Sequence, residues 1–171
     1  MSGGFHVVGS DGIAAFESPA GEDVVVRATG DETGGHYDLV EFTIDPGPGV
    51  TPLHVHHNNE EAMYVLEGEL TVQLGETVRT LGPGSYAMAE RGVPHTYRSS
   101  GEGPARVLFT LMPGNAWGYL EETAERGPVE DESDIERMLP ILESYGIEVV
   151  GPPLDGDDGD AGADRDTGRV G

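Results

Sequence analysis

The stretch HVHHNNEEAMYVLEG, residues 54–68, gathers three histidines and two glutamates within eight positions. His54 and His56 stand two apart, so on a β-strand both project from one face, and an imidazole pair at that spacing can share one metal ion. Glu61 follows after the polar NNE, which can form a turn, and starts a new apolar run with Met63 and Val65 on its side. His95, in RGVPHTY, opens another run behind a turn shaped by Gly92 and Pro94. Three imidazoles and one carboxylate suit Fe, Ni, Mn, Co or Zn rather than Ca or Mg. Each residue alone would be read as a surface or core side chain; their combination in one chain is what points to a metal. His57 has the opposite parity and should point away from the site, while His6 and His36 lie outside the pattern.

The elements that must position these residues are short. VVVRA (24–28), YDLVEFTI (37–44), EAMYVLE (61–67), ELTVQL (69–74), SYAMA (85–89), HTYRS (95–99) and ARVLFTL (105–111) read as strands, separated by turns rich in glycine and proline. No long helical pattern lies between them, which predicts an all-β sandwich or barrel rather than a parallel α/β sheet. After the strands the period changes. WGYLEETAER (117–126) can form a short helix, and Ile135, Met138, Leu139, Leu142 and Tyr145 recur at helical intervals behind Ser133 and Glu136, which have capping-box spacing. Pro140 should break or kink that stretch, giving two short helices. The resulting organisation is an N-terminal arm (1–23), a β-barrel (24–115), a C-terminal helical extension (116–154) and an acidic, disordered tail (155–171).

Composition narrows the partners. The 171 residues carry 32 acidic against 9 basic side chains, a net charge of −23, and every basic residue is arginine. That balance excludes a counterion-releasing nucleic-acid surface and disfavours anionic membranes. The acidic residues interleave with the strand-like runs, as in a folded, salt-adapted protein of a halophile. Cysteine is absent, so no disulfide or thiolate site is available. With no leader-like or membrane-length apolar segment, a cytoplasmic location is expected.

His54-x-His56-x4-Glu61-x6-Gly68 resembles the first motif of the cupins, and Gly82-Pro83-Gly84 with Gly92-x-Pro94-His95 resembles the second. The spacing to Gly68 selects Glu61 over Glu60 as the matching acid. The resemblance covers roughly residues 24–115 and extends loosely to YGIEVVGPP (145–153), which is similar to the tail of small quercetin dioxygenase-like cupins. Glu90 and Ser99 depart from the second motif, where proline and asparagine are usual; neither position holds metal in the family.

This resemblance implies a double-stranded β-helix, a jelly-roll barrel, with one divalent metal held inside its mouth by His54, His56, Glu61 and His95. It implies a dioxygenase acting with O2 on a flavonol-like or other enolic or aromatic small molecule, with Glu61 as the acid–base residue. The alternatives are another metal-dependent enzyme, such as an isomerase or decarboxylase, and a small-molecule-binding cupin without catalysis. Phe42, Met63, Met88, Tyr97, Phe109 and Trp117 are candidates for the substrate pocket. Arg98 has the opposite parity to His95 and Tyr97 and should face outward, which disfavours a phosphorylated substrate. Barrel edges of this kind are often covered by a second subunit, so a homodimer using the N-terminal strand region is expected.

Overall fold

Alternation of buried and partly exposed residues along DLVEFTI and ARVLFTLM dictates strands with one face turned to a core. The computed structural model describes residues 5–156. Its strands are β1 (Ala14–Glu17), β2 (Asp23–Ala28), β3 (Asp38–Ile44), β4 (Leu53–His56), β5 (Glu60–Glu67), β6 (Leu70–Leu74), β7 (Thr77–Leu81), β8 (Tyr86–Ala89), β9 (His95–Ser99), β10 (Ala105–Met112) and β11 (Ile147–Gly151). The helices are α1 (Gly30–Thr33), α2 (Gly118–Ala124) and α3 (Glu132–Ser144). The strands form two antiparallel sheets, β1-β2-β3-β10-β5-β8 and β11-β4-β9-β6-β7. This is the all-β jelly-roll architecture expected from the sequence, followed by short helices.

The core lies between the sheets. Val40, Phe42, Met63, Val107 and Phe109 from the first meet Leu70, Val72 and Tyr97 from the second. Phe42 packs edge-on against Phe109 at 4.8 Å and Tyr97 at 6.5 Å between ring centroids. Each fully buried side chain of this size contributes about 1.5–3 kcal/mol through loss of apolar surface to water. The outer face uses its charges in cross-strand pairs: Glu41 on β3 accepts from Arg27 on β2 (2.8 Å) and from Arg106 on β10 (3.0 Å). Gly68, in the turn between β5 and β6, has φ 75° and no room for a side chain, since a Cβ would stand 2.4 Å from the Pro104 carbonyl oxygen.

Besides β4, expected from the parity of His54 and His56, three strands have no counterpart in the apolar runs read above. β1 carries only AAFE and is completed by pairing with β2. β7 is an exposed edge strand paired with β6. β11 adds to β4, placing the C-terminal segment beside the strand of His54 and His56. The expected break at Pro140 is corrected: α3 runs through it as one helix. Pro140 lies on the exposed side, where water can satisfy the Glu136 carbonyl left without its donor, while buried Met138 and Ile141 hold the helix on both sides of it. The helix is capped by Asp131 with Asp134 rather than by Ser133 with Glu136. Of the acidic tail expected from residue 155, residues 157–171 lie outside the described residues. No helix among the described residues is long and apolar enough to cross a membrane.

Candidate metal centre

His54 and His56 leave β4 on the same side, as their parity requires, and His95 is the first residue of β9, paired directly with His54. Glu61 comes from β5 in the other sheet, so the four residues bridge the two sheets. Two local devices set them there. Buried Asn59 donates from Nδ2 to the Pro113 carbonyl (2.7 Å) and to Asn115 Oδ1 (2.9 Å), pinning the turn that turns the chain from His56 back to Glu61. Gly92, at φ 79°, donates its N–H to the His56 carbonyl (3.0 Å) and ties the loop before His95 to β4.

One ligand atom from each of His54, His56, Glu61 and His95 lies within 4.8 Å of the others, and all four residues are buried. His54 Nδ1 is 2.8 Å from the Pro52 carbonyl and His95 Nδ1 is 2.9 Å from the Val93 carbonyl. Donation to those oxygens fixes the tautomer that leaves each Nε2 lone pair directed at the cluster. His56 Nε2 is 3.1 Å from Glu61 Oε2, yet both His56 nitrogens are buried without a hydrogen-bond partner. A buried imidazole left unsatisfied beside a carboxylate is costly unless something completes it. A single divalent transition metal does so: the donor set is the N/O set such ions prefer, and each donor is free or weakly engaged. These residues fit one divalent metal.

Electrostatics agree. Burial, with the neighbouring His95 and His56 rings, pushes His54 down to about 3, so its ring is neutral and its lone pair free at neutral pH. Burial alone would raise Glu61; the adjacent His56 and His95 overturn that and hold its carboxyl well below the usual range. His95 shows the converse, with burial lowering it and Glu61 raising it to a net increase. His57, of opposite parity, is exposed and meets Glu148 at 2.8 Å, away from the cluster.

The cluster opens onto an apolar cavity, of which His54 and Glu61 form part of the wall. Phe42, Tyr97 and Phe109 line it. Met63 does not; it is wholly buried in the core between Phe109 and Ala87. Met88 shares the outward face of β8 with Tyr86 and is 39% exposed. Trp117 packs against the core at the head of α2, its N–H held by Asp38 Oδ2 at 3.0 Å. Arg98 does leave the barrel on the side opposite Tyr97, yet it is 9% exposed, because the segment after β11 returns over it and Gly156 O accepts from its Nη2. Among the described residues no arginine lines the cavity.

Other parts of the cavity carried no signal in the sequence. Leu120 and Thr123 of α2 and Ile135, Met138 and Leu142 of α3 roof it, and Tyr119 sets its ring edge-on to His56 at 6.1 Å. Ser18 and Thr51 supply further polar atoms, and behind them Glu22 is buried at 7% exposure. A GED tripeptide before a strand reads as surface charge; only closure of the β1–β2 loop reveals its burial. Burial pushes the Glu22 carboxyl up to about 7, against hydrogen bonds from Ser18, Tyr97 and Thr51. The folded chain thus holds this proton more tightly than the unfolded one, so stability falls as pH rises from 4.5 to about 7. Between pH 5 and 8 the protein should lose about 3 kcal/mol more unfolding free energy than Glu22→Gln, measured by urea titration. Parallel pH profiles for the two proteins would refute the assignment.

Residues 40–111 match the cupin domain family. Curated relatives include quercetin 2,3-dioxygenase of Bacillus subtilis, 36% identical over 90 residues that make up 53% of this chain and 26% of that protein. The tetracenomycin polyketide synthase protein TcmJ of Streptomyces glaucescens is 36% identical over 80 residues, 46% of this chain and 49% of the relative. The chain therefore spans between about a quarter and a half of the length of these two relatives. Among solved structures, an RmlC-like cupin from Shewanella frigidimarina superposes with TM-score 0.55 at 18% identity, over 67% of this chain and 96% of that one. KdgF from Halomonas sp. superposes with TM-score 0.53 at 22% identity, over 60% and 89%. At these identities the structures show the shared fold.

Proposed function

We propose that this chain, whose residues 40–111 match the cupin domain family, is a metal-dependent dioxygenase acting on an enolic or aromatic small molecule. The observation that carries the reading is the placement of Glu61: an ionised, buried carboxylate beside three imidazoles, on the wall of an apolar cavity. His54, His56 and His95 would hold the metal through Nε2, with Glu61 as the fourth donor. A divalent metal bound there supplies Lewis acidity to an enolic oxygen and a binding position for dioxygen.

The chain's own residues do the rest. Glu61 accepts the proton of the substrate's enolic hydroxyl at a carboxylate oxygen, from its place on the cavity wall. Phe42, Phe109, Leu111 and Leu120 pack around the substrate and exclude water, which protects a reactive carbanion equivalent from protonation. With no arginine of the described residues on the lining, the cavity offers little to a phosphate, and this sets a sugar-phosphate reaction behind oxygenation. The names of the Bacillus and Streptomyces relatives, a quercetin dioxygenase and a polyketide synthase protein, support an oxygenated aromatic substrate. The roof from α2 and α3 lies outside the matched region, so it is this chain's own helices that select among such substrates. Exposed Phe5, Val7 and Ile13 next to edge strand β1 suit a homodimer contact.

The test is oxygen uptake by protein loaded separately with Fe, Ni, Co, Mn or Zn, with quercetin as probe. Uptake that depends on the metal is expected. No uptake with any ion, from protein shown to hold it, would sink the oxygenase reading in favour of another metal-dependent reaction or binding without catalysis.

A further inference from the structure

Glu22 is a buried carboxyl with no cationic partner among the described residues, a placement that costs stability whenever the group is ionised. The loop that carries it does not need it. Ser18 N–H donates to the Glu22 carbonyl (2.8 Å) and Gly21 N–H to the Ser18 carbonyl (2.9 Å), so the backbone already closes the turn between β1 and β2.

Its carboxylate instead collects hydroxyl protons. Ser18 Oγ donates to Oε2 at 2.9 Å and Thr51 Oγ1 donates to Oε1 at 3.4 Å. Ser18 Oγ is then fully engaged, because it also accepts from the N–H groups of Ala20 and Glu22, each at 3.2 Å. Thr51 is different. It lines the same cavity as Glu61 and His54, and with its proton directed at Glu22 it presents a lone pair to that cavity. Oxygens in that state recognise a hydrogen-bond donor.

We propose that Glu22 is a positioning residue that fixes Thr51 as a second polar wall, accepting a hydroxyl of the ligand. Building on the oxygenase reading, the ligand carries two oxygen functions: an enolic one for the metal and Glu61, and a separate hydroxyl for Thr51. The rest of it is apolar, as the rest of the lining requires.

The experiment uses an isosteric pair, 2-naphthol and 2-methylnaphthalene, bound by metal-free protein at pH 8, where Glu22 is ionised. Affinities are read by probe fluorescence for the natural chain, Thr51→Val, Thr51→Ser and Glu22→Gln. The natural chain should prefer the naphthol by about ten-fold, one hydrogen bond's worth. Thr51→Val should lose most of that preference and Thr51→Ser should restore it. Glu22→Gln should reduce it several-fold, since the amide N–H turns a hydroxyl proton back toward the cavity. No preference in the natural chain, or one unchanged in Thr51→Val and Glu22→Gln, overturns the proposal.

A parallel titration of metal-loaded protein with quercetin and 3-hydroxyflavone separates this from the oxygenase reading. If the naphthol preference behaves as described while neither flavonol binds, the polar wall stands and the flavonol substrate falls. If both flavonols bind equally to the natural chain and to Thr51→Val, the polar wall falls while the oxygenase reading stands.

Discussion

His95→Ala protein is expected to emerge from purification without its divalent ion and without activity. His95 supplies one of three imidazoles, is 1% exposed, and is fixed by Val93 and by its pairing with His54. Alanine at that position leaves two imidazoles and a carboxylate facing a void. Loss of one neutral nitrogen donor from a four-donor site removes several kcal/mol of binding, well over a hundred-fold in affinity. The apo form should suffer too: Glu61 is held ionised partly by His95, and its burial without that partner costs about 1–3 kcal/mol. The measurement is metal content per chain after dialysis, with the unfolding midpoint recorded alongside. Full metal occupancy in a folded His95→Ala protein would remove His95 from the ligand set.

Glu61→Gln separates holding the metal from moving the proton. The amide matches the carboxylate in shape and keeps one oxygen acceptor, and the three imidazoles are untouched, so much of the metal should remain. What disappears is the basic site. A positioned general base contributes about 10²–10⁴-fold, and activity should fall by that factor while metal content falls far less. The comparison is of turnover per bound metal, not per chain. Turnover per metal close to that of the natural chain would show that Glu61 is a ligand only and that the proton goes elsewhere.

How much of this was legible beforehand depends on whether the information is local. Strand parity and turn chemistry are local. His54 and His56 share a face because a strand alternates, and the Gly68 turn is marked by a residue that alone tolerates its φ and its closeness to Pro104. The architecture follows from short alternating runs between turns, and the four candidate ligands from their types and spacing, helped by the resemblance of both motifs to cupins. That Phe42, Tyr97 and Phe109 face inward follows from parity as well.

Other features are set by which distant segments meet. Met88 and Met63 are alike in the sequence, yet β8 turns one outward and β5 packs the other into solid core away from the cavity. Pro140 is a local breaker, but packing of Met138 and Ile141 against the rest of the fold keeps α3 whole. Arg98 has outward parity and is buried all the same, because a segment more than fifty residues later lies over it. Glu22 and Thr51 are 29 positions apart and neither carries a motif; only the closed β1–β2 loop brings them together behind the cavity wall. The sequence by itself determined the central strands and the four candidate metal ligands, since alternation and spacing act within a few residues. The tertiary structure alone decided the cavity's roof and its second carboxyl, since burial there depends on contacts across the whole chain.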